Sequence, residues 1–189
     1  DLKGIVFKNN EEFVTNSKRE ALKNLDELPM PAWDLVDVDA YKKVWAERGK
    51  KISLNIATTR GCPYKCNWCA KPIYGVRYNS HSPQYITKLI SYLKENYDVT
   101  NFWMCDDIFG LKPRWVQNFN TALKKADLKI TYVIQSRVDL LLKEDSIDAL
   151  AESGLKEVWV GAESGSQKIL DAMDKGTQLS QIYEATRLL

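Results

Sequence analysis

Residues 156–164 read KEVWVGAES, and their alternation decides the fold. Side chains point to opposite faces with a period of two along a strand. Val158, Val160 and Ala162 therefore share one face, and Trp159, Gly161 and Glu163 share the other. The aliphatic face belongs beneath helices, which turns Glu163 inward at the strand's carboxyl end. Three upstream stretches have the same form: ISLNIATT at 52–59, NFWMCDDIF at 101–109 and KITYVIQSR at 129–137. Helical patterns separate them, from Ser82 to Tyr97, Pro113 to Ala126 and Ser146 to Ser153. Ser82 before Pro83 is an N-terminal cap, and Gly154 is a stop. After the fourth strand come SQKILDAM at 166–173, a Lys-Gly break and a last helix from Leu179. Strands alternating with helices predict an α/β fold of parallel βα units, twisted open or curled into a barrel.

Each strand also ends in polar residues: Thr58 and Thr59, Asp106 and Asp107, Gln135 to Arg137, Glu163 and Ser164. Ligands in parallel α/β folds bind at those carboxyl ends. The same count turns Asn55, Ala57 and Thr59 inward, with Trp103, Cys105 and Asp107. In the third strand the alternation is weak, and Gln135 and Arg137 are assigned inward.

Between strands one and two lies TTRGCPYKCNWCAK, Thr58 to Lys71, with three cysteines at C-x3-C-x2-C spacing. A closed structural zinc site takes four protein ligands, usually as two short pairs. The only other cysteine is Cys105, inside an apolar run, and the only histidine is His81. A [4Fe–4S] cluster held by three thiolates would keep one iron open. A zinc or adventitious metal site is the competing reading.

The rest of the chain bounds the problem. Its 189 residues, 44% hydrophobic, suffice for one real core with an appendage. A net charge of +2 with interspersed signs suggests no nucleic-acid or membrane surface. With no apolar run of about 20 residues and no signal peptide, no membrane span is expected, and clustered free thiols suit a reducing, cytoplasmic setting. Gly4 to Thr15 reads as a hairpin around Asn9-Asn10. LDELPMPAWDLVDVDAY, residues 25–41, reads as an extended connector anchored by Trp33, since prolines exclude helix there. A boundary near residue 50 follows. The chain starts on Asp1 rather than Met and ends in an amphipathic run, as if cut from something longer.

GCPYKCNWC after a strand, DDIF at the end of the second and VWVGAESGSQKILDAMDKG at the fourth together resemble the radical S-adenosylmethionine (SAM) enzymes. LPMPAWDL and TTRGCPYKCNWCAKPIYG resemble, more narrowly, the cobalamin-binding branch. That branch includes the anaerobic Mg-protoporphyrin ester cyclase and methyltransferases acting on unactivated carbon. The resemblance implies a partial TIM-like barrel, with about four of six βα units in residues 52–189. It also implies that residues 1–51 are the hairpin and Pro-rich connector of a missing upstream cobalamin-binding domain. Cys62, Cys66 and Cys69 become the ligands of a [4Fe–4S] cluster, and SAM chelates the open iron. Reductive cleavage then yields a 5′-deoxyadenosyl radical for hydrogen abstraction, the electron coming from a donor such as flavodoxin or ferredoxin.

Further roles follow from the resemblance. Trp68, before the third cysteine, lies near the adenine. The family's Gly-Gly-Glu is absent, and Cys105-Asp106-Asp107 stands in its place. A carboxylate there, Asp107 by the facing count, would accept from the SAM ammonium. Gln135 and Glu163 reach the ribose hydroxyls or the ammonium, and Lys175 meets the SAM carboxylate, with Arg137 competing for that role. Simpler readings stand beside these. Cys105 packs as a small buried residue, Asp106-Asp107 cap a loop, Lys175 sits at a helix end, and His81 is a solvated loop residue. Three functions remain open: a radical SAM core from a cobalamin-dependent methyltransferase or cyclase, a radical SAM enzyme without cobalamin, and a non-catalytic zinc or Fe–S module. The substrate, small molecule or peptide, is not readable.

Overall fold

A computed structural model describes residues 2–70 and 75–189. Residues 71–74 of the cysteine run lie outside the described residues. The chain opens with a hairpin of β1 (Val6–Asn9) and β2 (Glu12–Thr15), paired from Val6 with Thr15 to Asn9 with Glu12. Asn10 turns it at φ +57, a left-handed conformation that asparagine tolerates.

In the connector, single 3-10 turns at Leu25–Glu27 and Trp33–Leu35 flank the two prolines. Leu25 is buried and Trp33 packs against the core. Extended chain was expected through Tyr41; instead α1 (Val38–Glu47) starts at Asp37, whose carboxylate accepts from the Ala40 amide at 3.0 Å. An aspartate cap suffices to start a helix, and the Val-Asp alternation concealed it. The connector is docked, not loose. Asp26 accepts from the Ser82 amide at 2.9 Å and lies 3.1 Å from His81 Nδ1, and the Tyr85 hydroxyl donates to Leu28 O and Pro29 O. His81, expected in solvent, is buried and stacks on Tyr85 at 4.2 Å. Burial lowers its pKa, offset in part by Asp26.

Next come β3 (Leu54–Ile56), β4 (Thr59–Arg60) and β5 (Asn79–Ser80). The last two pair antiparallel, a pairing absent from the period count, and close the base of the cysteine loop. The regular units follow: α2 (Pro83–Tyr97), β6 (Asn101–Met104), α3 (Trp115–Lys125), β7 (Thr131–Ser136), α4 (Val138–Leu141), α5 (Ser146–Glu152), β8 (Leu155–Val160), α6 (Gln167–Ala172) and α7 (Leu179–Leu188). Ser82 Oγ caps α2 by accepting from Tyr85 N at 3.1 Å. Four strands form an all-parallel sheet in the order β3-β6-β7-β8. Sequential addition at one edge is the order of a barrel, whereas a doubly wound sheet reverses direction.

The two faces differ as the period predicts. Leu54, Ile56, Phe102, Met104, Tyr132 and Ile134 are buried beneath helices that contribute Ile86, Ile90, Leu93, Phe119, Leu123 and Leu150. Each such side chain contributes about 1.5–3 kcal/mol on burial. Phe109, Trp115, Phe119 and Tyr132 form a ring network with centroids 5.2–6.4 Å apart. The opposite face carries Asn55, Trp103, Val133, Gln135 and Trp159. Pairing jumps from Tyr132–Leu155 to Val133–Glu157. This bulge at Lys156 keeps Val158 on the helix side and Trp159 opposite Gln135. Gly154 is obligatory before β8: at φ +98, a Cβ would lie 2.0 Å from Ile130 O.

Cys105, expected buried, is exposed, because β6 ends at Met104 and the chain turns. Asp106 is the residue that turns back. Its carboxylate, 3% exposed, accepts from the Thr58 amide at 2.7 Å, the Thr59 amide at 2.8 Å and the Thr58 hydroxyl. The loop-cap reading holds for Asp106, which ties the end of β6 to the start of the cysteine loop. Burial pushes its carboxyl up to about 6, against those three hydrogen bonds. A folded-state pKa above the unfolded value means that stability present at low pH is lost as pH rises through about 4 to 6. Asp106→Asn removes that titration while leaving Oδ1 to accept both amides. Urea unfolding at pH 4.5 and 7 should show the wild type losing about 2 kcal/mol relative to the variant. Equal losses would mean that Asp106 stays ionised throughout.

Candidate active site

Residues 62–70, which follow β4, line one cavity together with residues at the carboxyl ends of the strands. Cys62, Cys66 and Cys69 all line this cavity of about 500 Å3, and none is in a disulfide. Burial raises the Cys62 thiol pKa, with Asp107, Cys66 and Cys69 adding to the effect. The loop is pinned near its middle: the Asn67 amide donates to Met173 O at 3.1 Å, and Asn67 Nδ2 donates to Ala172 O at 2.6 Å. It thus docks on the end of α6, more than 100 residues along the chain.

The facing wall comes from the other strand ends. Asp107 and Ile108 follow β6, Gln135 to Arg137 end β7, and Gly161, Glu163 and Lys175 follow β8. Every candidate named from the sequence lines this one cavity, including Trp68, whose indole stays 52% exposed at the rim. Glu163 arrives by a route the strand count did not contain. β8 stops at Val160, and Glu163 sits beyond it at φ +61, a strained conformation for glutamate. Its carboxylate accepts from Lys175 Nζ at 2.9 Å, and the Lys175 side chain is only 8% exposed. Gly161 makes that pair possible, because a Cβ there would lie 2.6 Å from Lys175 Nζ and 2.9 Å from Glu163 Oε1. Lys175 Nζ also stands 5.8 Å from the Trp68 ring centre, which joins the pair to the cysteine loop.

Arg137 is buried and heavily engaged. Nε donates to Asp139 at 2.8 Å, Nη2 donates to Lys175 O at 2.9 Å and to Thr177 Oγ1 at 3.0 Å, and the guanidinium lies 3.8 Å over the Tyr64 ring. Sequence reasoning missed Tyr64, Asn67 and Thr177. Nothing local marks them, since each acts across a long separation.

The donor set suits the cofactors that the resemblance implies. Three soft thiol donors share one wall, while a carboxylate, an amide and an ammonium–carboxylate pair share the other, and the space exceeds that of a single ion. Among the described residues, no three His, Cys, Asp or Glu side chains close tightly enough to enclose one metal ion. The arrangement fits an iron–sulfur cluster with a small zwitterion beside it.

Comparison with known proteins agrees with this geometry. The model of the Radical SAM superfamily matches residues 56–189. An uncharacterized methyltransferase of Pyrococcus horikoshii is 30% identical over 99% of this chain, which spans 40% of that protein. The anaerobic magnesium-protoporphyrin IX monomethyl ester cyclase of Synechocystis is 26% identical over 98% of the chain and 36% of the relative. Among solved structures, the cobalamin-dependent SAM radical enzyme OxsB, with aqua-cobalamin and S-adenosylmethionine bound, superposes with a TM-score of 0.72 at 22% identity, covering 98% of this chain and 27% of its own. That likeness establishes a shared TIM-like fold. With a family match over residues 56–189, which hold the cysteine loop and strands β6 to β8, this chain belongs to the radical SAM superfamily of enzymes.

Proposed function

We propose that residues 52–189 form the core of a radical SAM enzyme that carries a [4Fe–4S] cluster on Cys62, Cys66 and Cys69. The observation that carries this reading is the convergence of three thiols and the Glu163–Lys175 pair on one cavity of about 500 Å3. When bound, cluster and SAM supply a one-electron cleavage that generates a 5′-deoxyadenosyl radical for hydrogen abstraction. The chain's own residues bind and orient. Burial raises the pKa of the half-buried Cys62 thiol, and a metal's charge would hold it as a thiolate. Asp107 would accept from the SAM ammonium, Gln135 and Glu163 would meet the ribose hydroxyls or that ammonium, and Trp68 would flank the adenine. Lys175, paired with Glu163 in the structure, would meet the SAM carboxylate, with Arg137 the competing cation.

The parent enzyme on this reading is a cobalamin-dependent methyltransferase or cyclase, supported by the cyclase relative and by the fold of OxsB. Residues 1–51 then lead in from an upstream cobalamin-binding domain. The enzyme works in the cytoplasm on a small molecule or peptide, with flavodoxin or ferredoxin as reductant. Among the described residues no helix is long and apolar enough to cross a membrane.

Anaerobic reconstitution tests the core of this. About four irons and four labile sulfides per chain are expected, with a reduced EPR signal that SAM perturbs through the open iron. Stoichiometric zinc without labile sulfide would overturn the reading.

A further inference from the structure

The guanidinium of Arg137 is spent on contacts that face two separate segments. Nε and Nη2 hold Asp139, the Lys175 carbonyl and the Thr177 hydroxyl. Its flat face covers Tyr64, two residues after the first cysteine, at 3.8 Å. Arg137 and Thr177 are 5% and 2% exposed, so the junction is a packed one. We propose that Arg137 is a positioning residue whose guanidinium fastens the cysteine loop, through the Tyr64 ring, to the segment Lys175–Thr177. It thereby sets the separation across which the thiols face the Glu163–Lys175 pair.

The chemistry calls for arginine. One plane must offer edge donors in a fixed fork and a cationic face to an aromatic ring at the same time. Lysine has a point charge and no face. The second tie, from Asn67 to Ala172 and Met173, fixes the loop's middle to the end of α6. Arg137 fixes the loop's start to the residues that follow. Together they hold the loop at two points against one segment, so that Lys175 presents its ammonium while its own carbonyl is held from behind. This role deepens the reading of the cavity as a cluster and SAM site and rests on it for its catalytic consequence. The mechanical part does not depend on that reading.

The test separates the two. Hydrogen exchange is measured on metal-free protein for wild type, Arg137→Lys, Tyr64→Leu and Tyr64→Phe. Amides of 62–69 and 175–178 should exchange about tenfold faster in Arg137→Lys and in Tyr64→Leu, with α2 and α3 unchanged. Tyr64→Phe, which keeps the ring face but loses the hydroxyl that also bonds Arg137, should exchange more slowly than Tyr64→Leu. After reconstitution, both loosened variants should keep wild-type iron yet need about tenfold more SAM to perturb the EPR signal. Unchanged loop exchange in both Arg137→Lys and Tyr64→Leu overturns the proposal. Weaker SAM binding in Arg137→Lys with unchanged exchange also overturns it, making Arg137 a direct SAM contact. A wild type that holds no cluster refutes the cofactor reading while the exchange data still decide the latch.

Discussion

Cys66→Ala is expected to reduce cluster content from about four irons per chain to background, whereas Cys105→Ala should retain it. The contrast comes from position. Cys66 lies on the cavity wall with Cys62 and Cys69, and two remaining thiolates would leave two irons of a cube without protein ligands. Cys105 is exposed and lies outside the cavity lining. Iron and sulfide assays, with the EPR spectrum of the reduced protein, provide the readout. Cluster loss in Cys105→Ala, or a full cluster in Cys66→Ala, would reassign the ligands. The alanine itself should cost little stability, because the loop is held by Asn67 and Tyr64 rather than by its thiols.

Glu163→Gln should weaken SAM binding by roughly tenfold to a hundredfold at unchanged iron content. A charge-assisted hydrogen bond is worth about 1.5–3 kcal/mol, which is that range in affinity. The structure adds a second consequence. Glu163 is the partner of a nearly buried ammonium, Lys175. The Glu163 side chain is 22% exposed, although the residue as a whole, backbone included, is open. The pair is thus partly solvated, and glutamine still offers a carbonyl oxygen to Lys175. The stability cost should stay near 1 kcal/mol, well under that of breaking a fully buried pair. A titration of the SAM-induced EPR change separates the roles. If both proteins titrate alike while the variant unfolds at lower urea, Glu163 serves only as the anchor of Lys175.

The residues differ in how far they could be read before the fold was known. The hydrophobic face of the sheet was legible because burial against helices imposes a strict period of two, and Val158, Val160, Phe102 and Met104 obey it. Glu163 lines the cavity, yet the strand count that turned it inward does not apply to it. It lies past the end of β8 in a left-handed turn, and inward-facing strand residues and a strained turn residue happen to deliver a carboxylate to the same mouth. Asp106 and Asp107 are adjacent and chemically identical, and alternation separated them: Asp107 lines the cavity while Asp106 turns into the protein toward Thr58. His81 and α1 were misread for a shared reason. Both depend on the connector, whose Asp26 and Asp37 find partners in the fold or at a helix start.

The sequence by itself determined the parallel βα class, the polar strand ends and the three-thiol loop, since periodicity and ligand spacing are local and survive without coordinates. Tertiary structure alone decided how that loop is held. Asn67 reaches Ala172, Arg137 reaches Tyr64 and Thr177, and Gly161 clears room for a Lys175–Glu163 pair. Each contact joins segments whose separation along the chain carries no signature. Hydrogen bonds and ion pairs act over a few ångströms of space, and only the packed sheet brings those residues within reach.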